Sequence, residues 1–295
     1  MATFTFSKPS RKLTWLITGC SSGFGLSLAR IVQAAGHTLI ATSRNPSRSP
    51  ELVAEVENKG GKWLKLDIDD PKSAGFINNL EKSGVKIDVL INNAGFCTHA
   101  PVETSTEEEI RAQMETMFFG PIRLIKAVIP HMRERRFGVI ANFSSGAALD
   151  GNPTMGPYAG AKAGLDGLTK VLAKEVAAFN IRLLTVVLGT FNTSFGANAS
   201  FGKVPIPEVY EGSMTETMLT YLKSGKVPIN GDKDKAMKVV YDLVVGDGFG
   251  GGREAERFIA LGTDMATRVK GVRDALQHSL DIFGDVTNGV AITES

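Results

Sequence analysis

The chain of 295 residues has few cysteines and histidines, and this scarcity excludes several classes of protein. Its two cysteines, Cys20 and Cys97, are too few for a disulfide framework and suit a reducing compartment. The cysteines and the four histidines show no metal-ligand spacing, so we expect no metal site. A formal charge of +2 without a basic stripe argues against a nucleic-acid partner.

Long apolar runs and a secretory leader are also missing. No run approaches the roughly 18 apolar residues that a membrane-spanning helix requires. The first residues, MATFTFSKP, lack the basic start and apolar stretch of a signal peptide. We therefore expect a non-secreted, cytoplasmic protein without a membrane span. With 43% hydrophobic residues the chain can bury a full core, and we expect one domain over residues 1–295.

Short β-prone runs alternate with helix-length segments along the chain, which predicts an α/β fold with a parallel, doubly wound sheet. The predicted strands are 13–18, 38–42, 63–66, 89–91, 138–143 and 182–187. A helix over 232–244, a strand over 257–261 and a terminal helix over 264–283 follow, with Asp264 as a helix cap. In such sheets, ligands bind beyond the carboxyl ends of the strands.

A glycine-rich turn, Thr18-Gly-Cys-Ser-Ser-Gly-Phe-Gly25, joins the first predicted strand to a helical pattern. Gly19 permits unusual backbone angles, Gly23 lets the backbone approach a pyrophosphate, and Gly25 allows close packing of the helix. Free N–H groups at the helix start would bind phosphate. The same letters match the Gly-x-Ser-x-Gly elbow of serine hydrolases, with Ser21 as nucleophile, but the acid-then-histidine order of that class is missing.

Four motifs occur in the order of the short-chain dehydrogenase/reductase family, and the chain resembles that family over about residues 13–193. The motifs are Thr18-Gly19-x-x-x-Gly23-x-Gly25, Asn92-Asn93-Ala94-Gly95, Ser145, and Tyr158-x-x-x-Lys162. The resemblance implies a single Rossmann-type domain, a nicotinamide cofactor, and catalysis by the serine, tyrosine and lysine. It divides the chain into a cofactor-binding and catalytic core over 13–193 and a substrate loop with C-terminal elements, helical for the most part and covering the substrate, over 194–295.

Elementary chemistry supports these catalytic roles. Tyr158 and Lys162 lie one turn apart on the same face of the predicted helix. The pKa of a free phenol is near 10, so a lysine ammonium and an oxidised nicotinamide are needed to stabilise its anion at neutral pH. Tyr158 then acts as general acid in reduction and general base in oxidation, Ser145 polarises the substrate carbonyl, and Lys162 also holds the nicotinamide ribose.

The end of the second strand favours NADP(H) as the cofactor. NAD enzymes typically have a carboxylate here, whereas this chain has Ser43 followed by Arg44, which can pair with a 2′-phosphate together with Arg48. The other cofactor contacts come from the resemblance: Gly19, Ser21, Ser22, Gly23, Phe24, Gly25, Asp67, Ile68, Asn93, Ala94, Gly95, Tyr158, Lys162, Thr190 and Thr193.

The chain also departs from the family pattern. Met117 stands where the family usually has an asparagine that holds a water, and Thr116 or Gln113 would have to compensate. Gly189 follows Leu188 where Pro-Gly is usual, and Asn192 replaces a common basic residue. These departures keep open a cofactor-bound protein without net redox chemistry, such as an isomerase, a cyclase or a regulatory binding module. The intact serine, tyrosine and lysine favour an enzyme.

The segment 195–229 is rich in apolar side chains and predicts a flap over an apolar carbonyl or alcohol substrate, although ordinary helix packing explains the same pattern. Its apolar residues are Phe201, Val204, Ile206, Val209, Tyr210, Met214, Met218 and Leu219. The resemblance also implies a homo-oligomer that associates through the helices beginning near Met114 and Tyr158.

Overall fold

The computed structural model of the chain describes residues 6–193, 195–196, 199–226, 230–287, 289–290 and 292. Its centre is a seven-stranded parallel sheet with the order β3-β2-β1-β4-β6-β7-β9. These strands are β1 (Thr14–Ile17), β2 (Thr38–Ser43), β3 (Lys62–Lys65), β4 (Val89–Asn92), β6 (Gly138–Ser145), β7 (Ile181–Leu188) and β9 (Phe258–Leu261). A separate parallel pair joins β5 (Thr98–His99) to β8 (Ser200–Phe201). The predicted parallel, doubly wound sheet is thus confirmed.

Helices connect the strands and cover both faces of the sheet. They are α1 (Gly23–Ala34), α2 (Pro50–Asn58), α3 (Ala74–Lys82), α4 (Glu107–Met114), α5 (Gly120–Arg135), α6 (Ala147–Asp150), α7 (Gly156–Glu175), α8 (Met214–Lys223), α9 (Lys233–Val245) and α10 (Met265–Thr287). No helix in these ranges combines the length and the apolar character needed to cross a membrane.

The sheet is buried on both faces, as a parallel sheet should be. All eight residues of β7 are buried, and each of the two faces carries its own apolar cluster. One cluster joins the sheet to α1 and α9, and the other joins it to α3, α5 and α7. The pairing order reverses between β1 and β4, which opens a crevice at the carboxyl ends of these strands.

Local sequence signals explain where several elements begin. Thr106 and Glu109 form a reciprocal capping box at the start of α4. Asp232 accepts hydrogen bonds from the backbone N–H groups of Asp234 (2.9 Å) and Lys235 (3.2 Å) and caps α9. The terminal helix ends at Thr287, four residues beyond the predicted end at 283, because the amphipathic pattern continues without a break.

Candidate active site

The glycine-rich turn lies at the carboxyl end of β1 and leads into α1. Gly19 and Gly23 have positive φ angles of 72° and 56°, which glycine adopts without strain. A Cβ on Gly19 would lie 2.8 Å from the Cα of Ala94, and one on Gly25 would overlap the carbonyl oxygen of Gly19. Ser22, at the start of α1, makes no side-chain cap, so the first N–H groups of the helix face the crevice without that partner.

The loop after β4 is bound to this turn by a set of short hydrogen bonds. The Asn93 side-chain amide donates to the carbonyl oxygens of Thr18 (2.7 Å) and Gly19 (3.1 Å). The backbone N–H groups of Asn93 and Ala94 both donate to the Thr18 hydroxyl at 3.0 Å. The two loops form one rigid cradle, and the Asn93 amide is used to hold it together.

Ser145, Tyr158 and Lys162 meet beside this cradle. Ser145 is the last residue of β6, while Tyr158 and Lys162 lie one turn apart on α7, and both are buried. The Ser145 hydroxyl lies near the Tyr158 phenol and lowers its pKa. The Lys162 ammonium donates to the backbone carbonyl of Phe143, two residues before Ser145, at 2.6 Å. The strand end therefore carries Ser145 and holds the Lys162 ammonium.

Burial dominates the electrostatics of this group. It raises the pKa of the Tyr158 phenol well above its ordinary value, and the nearby Ser145 hydroxyl only partly opposes that rise. Burial also lowers the pKa of Lys162 to about 8, against an opposing effect of the Asp166 charge. In the protein alone Tyr158 is therefore a protonated phenol, suited to donate a proton once a nearby positive charge stabilises its anion.

The remaining predicted cofactor residues surround the same crevice. Ser21, Ser22 and Arg44 are exposed, and Asp67 is half-buried. A Cβ on Gly23 would lie 3.5 Å from the Cβ of Thr193, so the loop after β7 reaches the glycine turn. The Thr190 N–H donates to the Asp264 carboxylate at 3.4 Å.

Two of the predicted contacts have side chains turned away from the crevice. The Ser43 hydroxyl is buried and accepts a hydrogen bond of 3.0 Å from the indole N–H of Trp63 on the neighbouring strand. The Ile68 side chain is buried in the apolar cluster beneath the sheet. Only the backbone of these two residues can meet a cofactor.

Comparison with known proteins identifies the group to which this arrangement belongs. The sequence profile of the short chain dehydrogenases matches residues 14–202. The chain belongs to the short-chain dehydrogenase family.

Relatives extend this finding. "Oxidoreductase claN" from Passalora fulva is 37% identical over 209 residues, which cover 70% of this chain and 92% of that protein. A "3-ketodihydrosphingosine reductase" from Bacteroides thetaiotaomicron is 38% identical over 190 residues, covering 64% of this chain and 68% of that protein. The crystal structure of a short-chain dehydrogenase from Streptomyces avermitilis superposes with a TM-score of 0.84 at 31% identity, covering 96% of this chain and all of that one. This is an oxidoreductase family whose members bind a nicotinamide cofactor.

The serine-hydrolase alternative finds no support in the geometry of this short-chain dehydrogenase. Ser21 is exposed in the glycine turn, and none of the four histidines, all of which the structure describes, hydrogen-bonds to it. His37 binds the Leu13 N–H and the Tyr241 hydroxyl instead.

Met117 departs from the family pattern and is fully buried. It lies in a one-turn π-helix, Glu115–Phe119, and packs in an apolar cluster with Cys97, Ala147, Tyr158 and Ala161. A Cβ on Gly95 would lie 2.6 Å from its terminal methyl group. The thioether thus fills the space between the loop after β4 and helix α7.

Neither polar neighbour replaces the missing asparagine at this place. The Thr116 hydroxyl donates to Asp69 at 2.9 Å. The Gln113 amide donates to the Phe96 carbonyl (2.8 Å) and accepts from the Thr98 N–H (3.1 Å). Both side chains hold adjacent loops instead.

Sequence reasoning missed two polar residues beside the predicted catalytic residues. Asp166, one turn beyond Lys162, is buried and accepts a hydrogen bond from Ser144 at 2.8 Å. Asn142 on β6 links Asn92 on β4 to Thr169 on α7 through two hydrogen bonds of 2.8 Å. Asp166 follows Lys162 by four residues, so the helix spacing alone could have predicted that the two are neighbours. The partners of Asn142 depend on the order of the strands in the sheet, which its local sequence does not indicate.

A charged cluster at the start of α10 was missed as well. The Arg268 guanidinium donates to both carboxylate oxygens of Asp150 (2.6 and 2.7 Å) and to Asp264 (3.1 Å). It also lies directly against Gly146, where a Cβ would overlap it. Asp264 directly precedes α10, as its predicted cap role requires, but its carboxylate binds Arg268 and the Thr190 N–H. This cluster fixes the loops that follow Ser145 and β7.

Proposed function

We propose that the protein is an NADP(H)-dependent oxidoreductase that interconverts a carbonyl and an alcohol on a small apolar molecule. The observation that carries the proposal is the buried pair of Tyr158 and Lys162 beside Ser145 at the edge of a glycine cradle. In this proposal, residues 13–193 form the cofactor-binding and catalytic core of a single domain. Residues 194–295 supply the substrate loop and the C-terminal elements.

Tyr158 is the general acid in carbonyl reduction and the general base in alcohol oxidation. Its raised pKa keeps the proton on the phenol until charge develops on the substrate oxygen. Ser145 donates a hydrogen bond to the same oxygen, and the Lys162 ammonium stabilises the tyrosinate that remains. When bound, NADPH would supply the hydride.

The cradle has the features that a dinucleotide requires. Positive φ angles at Gly19 and Gly23 and the close approach at Gly25 bring backbone N–H groups to the position of a pyrophosphate. Lys162 would hold the nicotinamide ribose, and the loop through Thr190 and Thr193 would approach the carboxamide. Asn93, Ala94 and Gly95 would lie under the adenosine ribose, and Asp67 and Ile68 beside the adenine.

Arg44 supports NADP(H) over NAD(H). It is exposed at the carboxyl end of β2, and the preceding side chain, Ser43, carries no charge and is turned into the sheet. A 2′-phosphate at this strand end would meet a guanidinium and no carboxylate of β2.

The side chains around Tyr158 support an apolar substrate. The Phe195 ring lies 6.0 Å from the Tyr158 ring, and Phe96, Met114 and Met155 pack against the same cluster. Beyond it, Phe201, Val204, Val209 and Met214 of the predicted flap are exposed. Such a surface would be covered by an apolar ligand.

The test is the loss of NADPH absorbance with a panel of ketones, aldehydes and quinones. Tyr158→Phe removes only the hydroxyl, so it should abolish turnover while NADPH binding, measured by fluorescence, is retained. Turnover that persists in Tyr158→Phe would refute the proposed acid.

The buried Met117 is the observation that favours the second candidate, a cofactor-bound protein without net redox chemistry. Tight NADPH binding without oxidation across the whole panel would support it. Met117→Asn is then the informative variant, because activity gained on restoring the family asparagine would identify this position as the cause.

A further inference from the structure

The Arg268 guanidinium, in the first turn of α10, lies among the loops that follow three neighbouring strands, β6, β7 and β9. The start of α10 is fixed to the end of β9, because the Met265 N–H donates to the Gly262 carbonyl at 3.2 Å. The Arg268 side chain is 19% exposed. It therefore joins the C-terminal helix to the edge of the sheet where the cofactor and the substrate of the proposed reaction meet.

One connection runs from Arg268 through the short helix α6 to Ser145. At the end of α6, Asp150 accepts two hydrogen bonds from the guanidinium, at 2.6 and 2.7 Å. At the start of α6, the guanidinium lies directly against Gly146. The first N–H of α6, that of Ala147, donates to the Ser145 hydroxyl oxygen at 3.2 Å. The position of α6 thus orients the Ser145 hydroxyl, whose own proton is left for an acceptor such as a substrate oxygen.

A second connection runs from Arg268 through Asp264 to the loop after β7. The guanidinium donates to Asp264 at 3.1 Å, and the same carboxylate accepts from the Thr190 N–H at 3.4 Å. The carboxylate also fills the space beside Gly189, where a Cβ would overlap it. The Gly189 N–H donates to the Leu261 carbonyl at the end of β9, at 2.9 Å. The path of the chain through Thr190 therefore depends on the pair of Asp264 and Arg268.

The guanidinium is already occupied by protein groups. All three of its nitrogen atoms donate to Asp150 or Asp264. The hydrogen bonds to Asp150 raise the pKa of Arg268, so the arginine keeps its charge. These three side chains together carry one positive and two negative charges, which would repel an anionic substrate. The arrangement suits Arg268 to hold two loops together and not to bind a ligand.

We propose that Arg268 is a positioning residue for the proposed reaction, and that it holds the Ser145 hydroxyl and the loop through Thr190 at a fixed separation. The inference rests on the proposed function, in which Ser145 contacts the substrate oxygen and Thr190 the nicotinamide carboxamide. Hydride transfer depends on the distance between the nicotinamide and the carbonyl carbon, and a displacement of about 1 Å can cost about 100-fold in rate. Asp150 serves the first loop and Asp264 the second.

Arg268→Met tests both connections, because it removes the guanidinium and keeps an apolar stem. It should lower kcat by about 10-fold to 100-fold for the ketone that the wild type reduces fastest. KM for that ketone should change by less than about 3-fold, since the Ser145 hydrogen bond strengthens as charge develops on the oxygen. The Kd for NADPH, measured by fluorescence, should rise about 5-fold through the weakened loop after β7.

Asp150→Ala separates the two connections, because it releases α6 and leaves the pair of Arg268 and Asp264 in place. It should lower kcat about 10-fold and leave the Kd for NADPH unchanged. The same substitution in a Ser145→Ala background should lower kcat by less than about 2-fold, because the group that α6 orients is then missing. An undiminished effect of Asp150→Ala in that background would overturn the route through Ser145.

Two arginine variants serve as controls. Arg273→Met removes an arginine of the same helix whose side chain is 69% exposed and pairs with the adjacent Asp274. Arg11→Met breaks the two-fold contact of Arg11 with the buried Asp88, at the amino ends of the strands. Arg11→Met should lower the melting temperature measured by circular dichroism. Both controls should keep the wild-type kcat and Kd at temperatures where every variant is folded.

A purely structural role for Arg268 predicts that folded Arg268→Met behaves as Arg11→Met does, and that result would overturn the proposal. A wild-type chain that binds NADPH and oxidises none of it would contradict the proposed function alone. The NADPH affinity of Arg268→Met would then decide the inference. A raised Kd would support it, whereas an unchanged Kd would show that the arginine does not hold the loop through Thr190 for the cofactor.

Discussion

Replacing Gly146 by alanine tests how the Arg268 cluster holds the loop after Ser145. Gly146 has φ −53° and ψ −31°, which alanine adopts freely. The three atoms nearest to the new methyl group would all belong to the Arg268 guanidinium, so the arginine must move and give up its hydrogen bonds to Asp150. The backbone itself is not strained by this substitution.

Two opposing effects set the change in the free energy of unfolding. The Arg268 and Asp150 side chains are 19% and 27% exposed, so losing their two-fold contact should cost about 1–2 kcal/mol after solvent screening. Alanine in place of glycine restricts the unfolded chain, which raises the free energy of unfolding by about 0.4–1 kcal/mol. We expect Gly146→Ala to lower the free energy of unfolding by about 1 kcal/mol and Arg268→Ala to lower it by about 1–2 kcal/mol.

The double variant Gly146→Ala, Arg268→Ala shows whether the loss of stability comes from displacing Arg268 or from the loop itself. Once Arg268 is alanine, the three nearest atoms are gone, so Gly146→Ala should then stabilise the protein by about 0.4–1 kcal/mol. Urea unfolding at pH 7 should give a coupling energy of about 1–2 kcal/mol between the two sites. Equal effects of Gly146→Ala in both backgrounds would refute the reasoning.

Gly167→Ala is the matched control, because Gly167 lies on α7 and a methyl group added there would have no neighbouring atom within 4 Å. It should stabilise the protein by about 0.5–1 kcal/mol and show no coupling to Arg268.

The coupling also has a predicted pH dependence. The Arg268 guanidinium lowers the pKa of Asp150, so the folded state binds this proton less readily than the unfolded state. The stabilisation is therefore fully present above the unfolded pKa of about 3.9 and is lost only as pH falls through the lower folded pKa. A coupling energy that declined between about pH 7 and pH 5 would contradict this assignment.

Three further predictions concern activity. Because burial lowers the pKa of Lys162 to about 8, kcat/KM for carbonyl reduction should fall as pH rises through about 8, and a profile that stays flat well above that pH would exclude the ammonium from the reaction. Phe195→Ala should raise KM for apolar ketones about 10-fold through lost ring burial, with kcat changed much less; a drop confined to kcat would contradict a binding role. Arg44→Ala should raise the Kd for NADPH about 10-fold and leave the Kd for NADH nearly unchanged, with Arg48→Ala as the comparison, and equal weakening of both cofactors would contradict recognition of the 2′-phosphate.

The parts of this site that sequence could predict depend on local geometry. The strand-turn-helix around Gly19, Gly23 and Gly25 needs only neighbouring residues, and the one-turn spacing of Tyr158 and Lys162 is a property of any helix. Ser145 was predicted from its place in the family's order of motifs. The fold class followed from the same alternation of strands and helices.

The parts that could not be predicted depend on distant contacts and on side-chain direction. Arg268 and Asp150 are 118 residues apart in sequence, and their contact requires α10 to start beside α6. Ser43 was predicted as a cofactor contact, yet the pleat of β2 turns its hydroxyl toward Trp63 on β3. No local pattern distinguishes the two faces of a strand that is buried on both.

Two departures from the family pattern, at position 189 and at position 117, affect how the site is packed. At Gly189 the Asp264 carboxylate occupies the space of a side chain, and this lets α10 attach beside the loop after β7. Met117 places a thioether in the cluster that contains Tyr158 and Ala161, the neighbour of Lys162. A polar amide with a bound water would solvate this region, whereas methionine makes it more apolar, in the direction that lowers the pKa of Lys162 to about 8. Under the proposed mechanism, Met117→Asn should therefore raise the pKa of Lys162 and move the fall of kcat/KM to higher pH, and an unchanged pH profile would contradict this account.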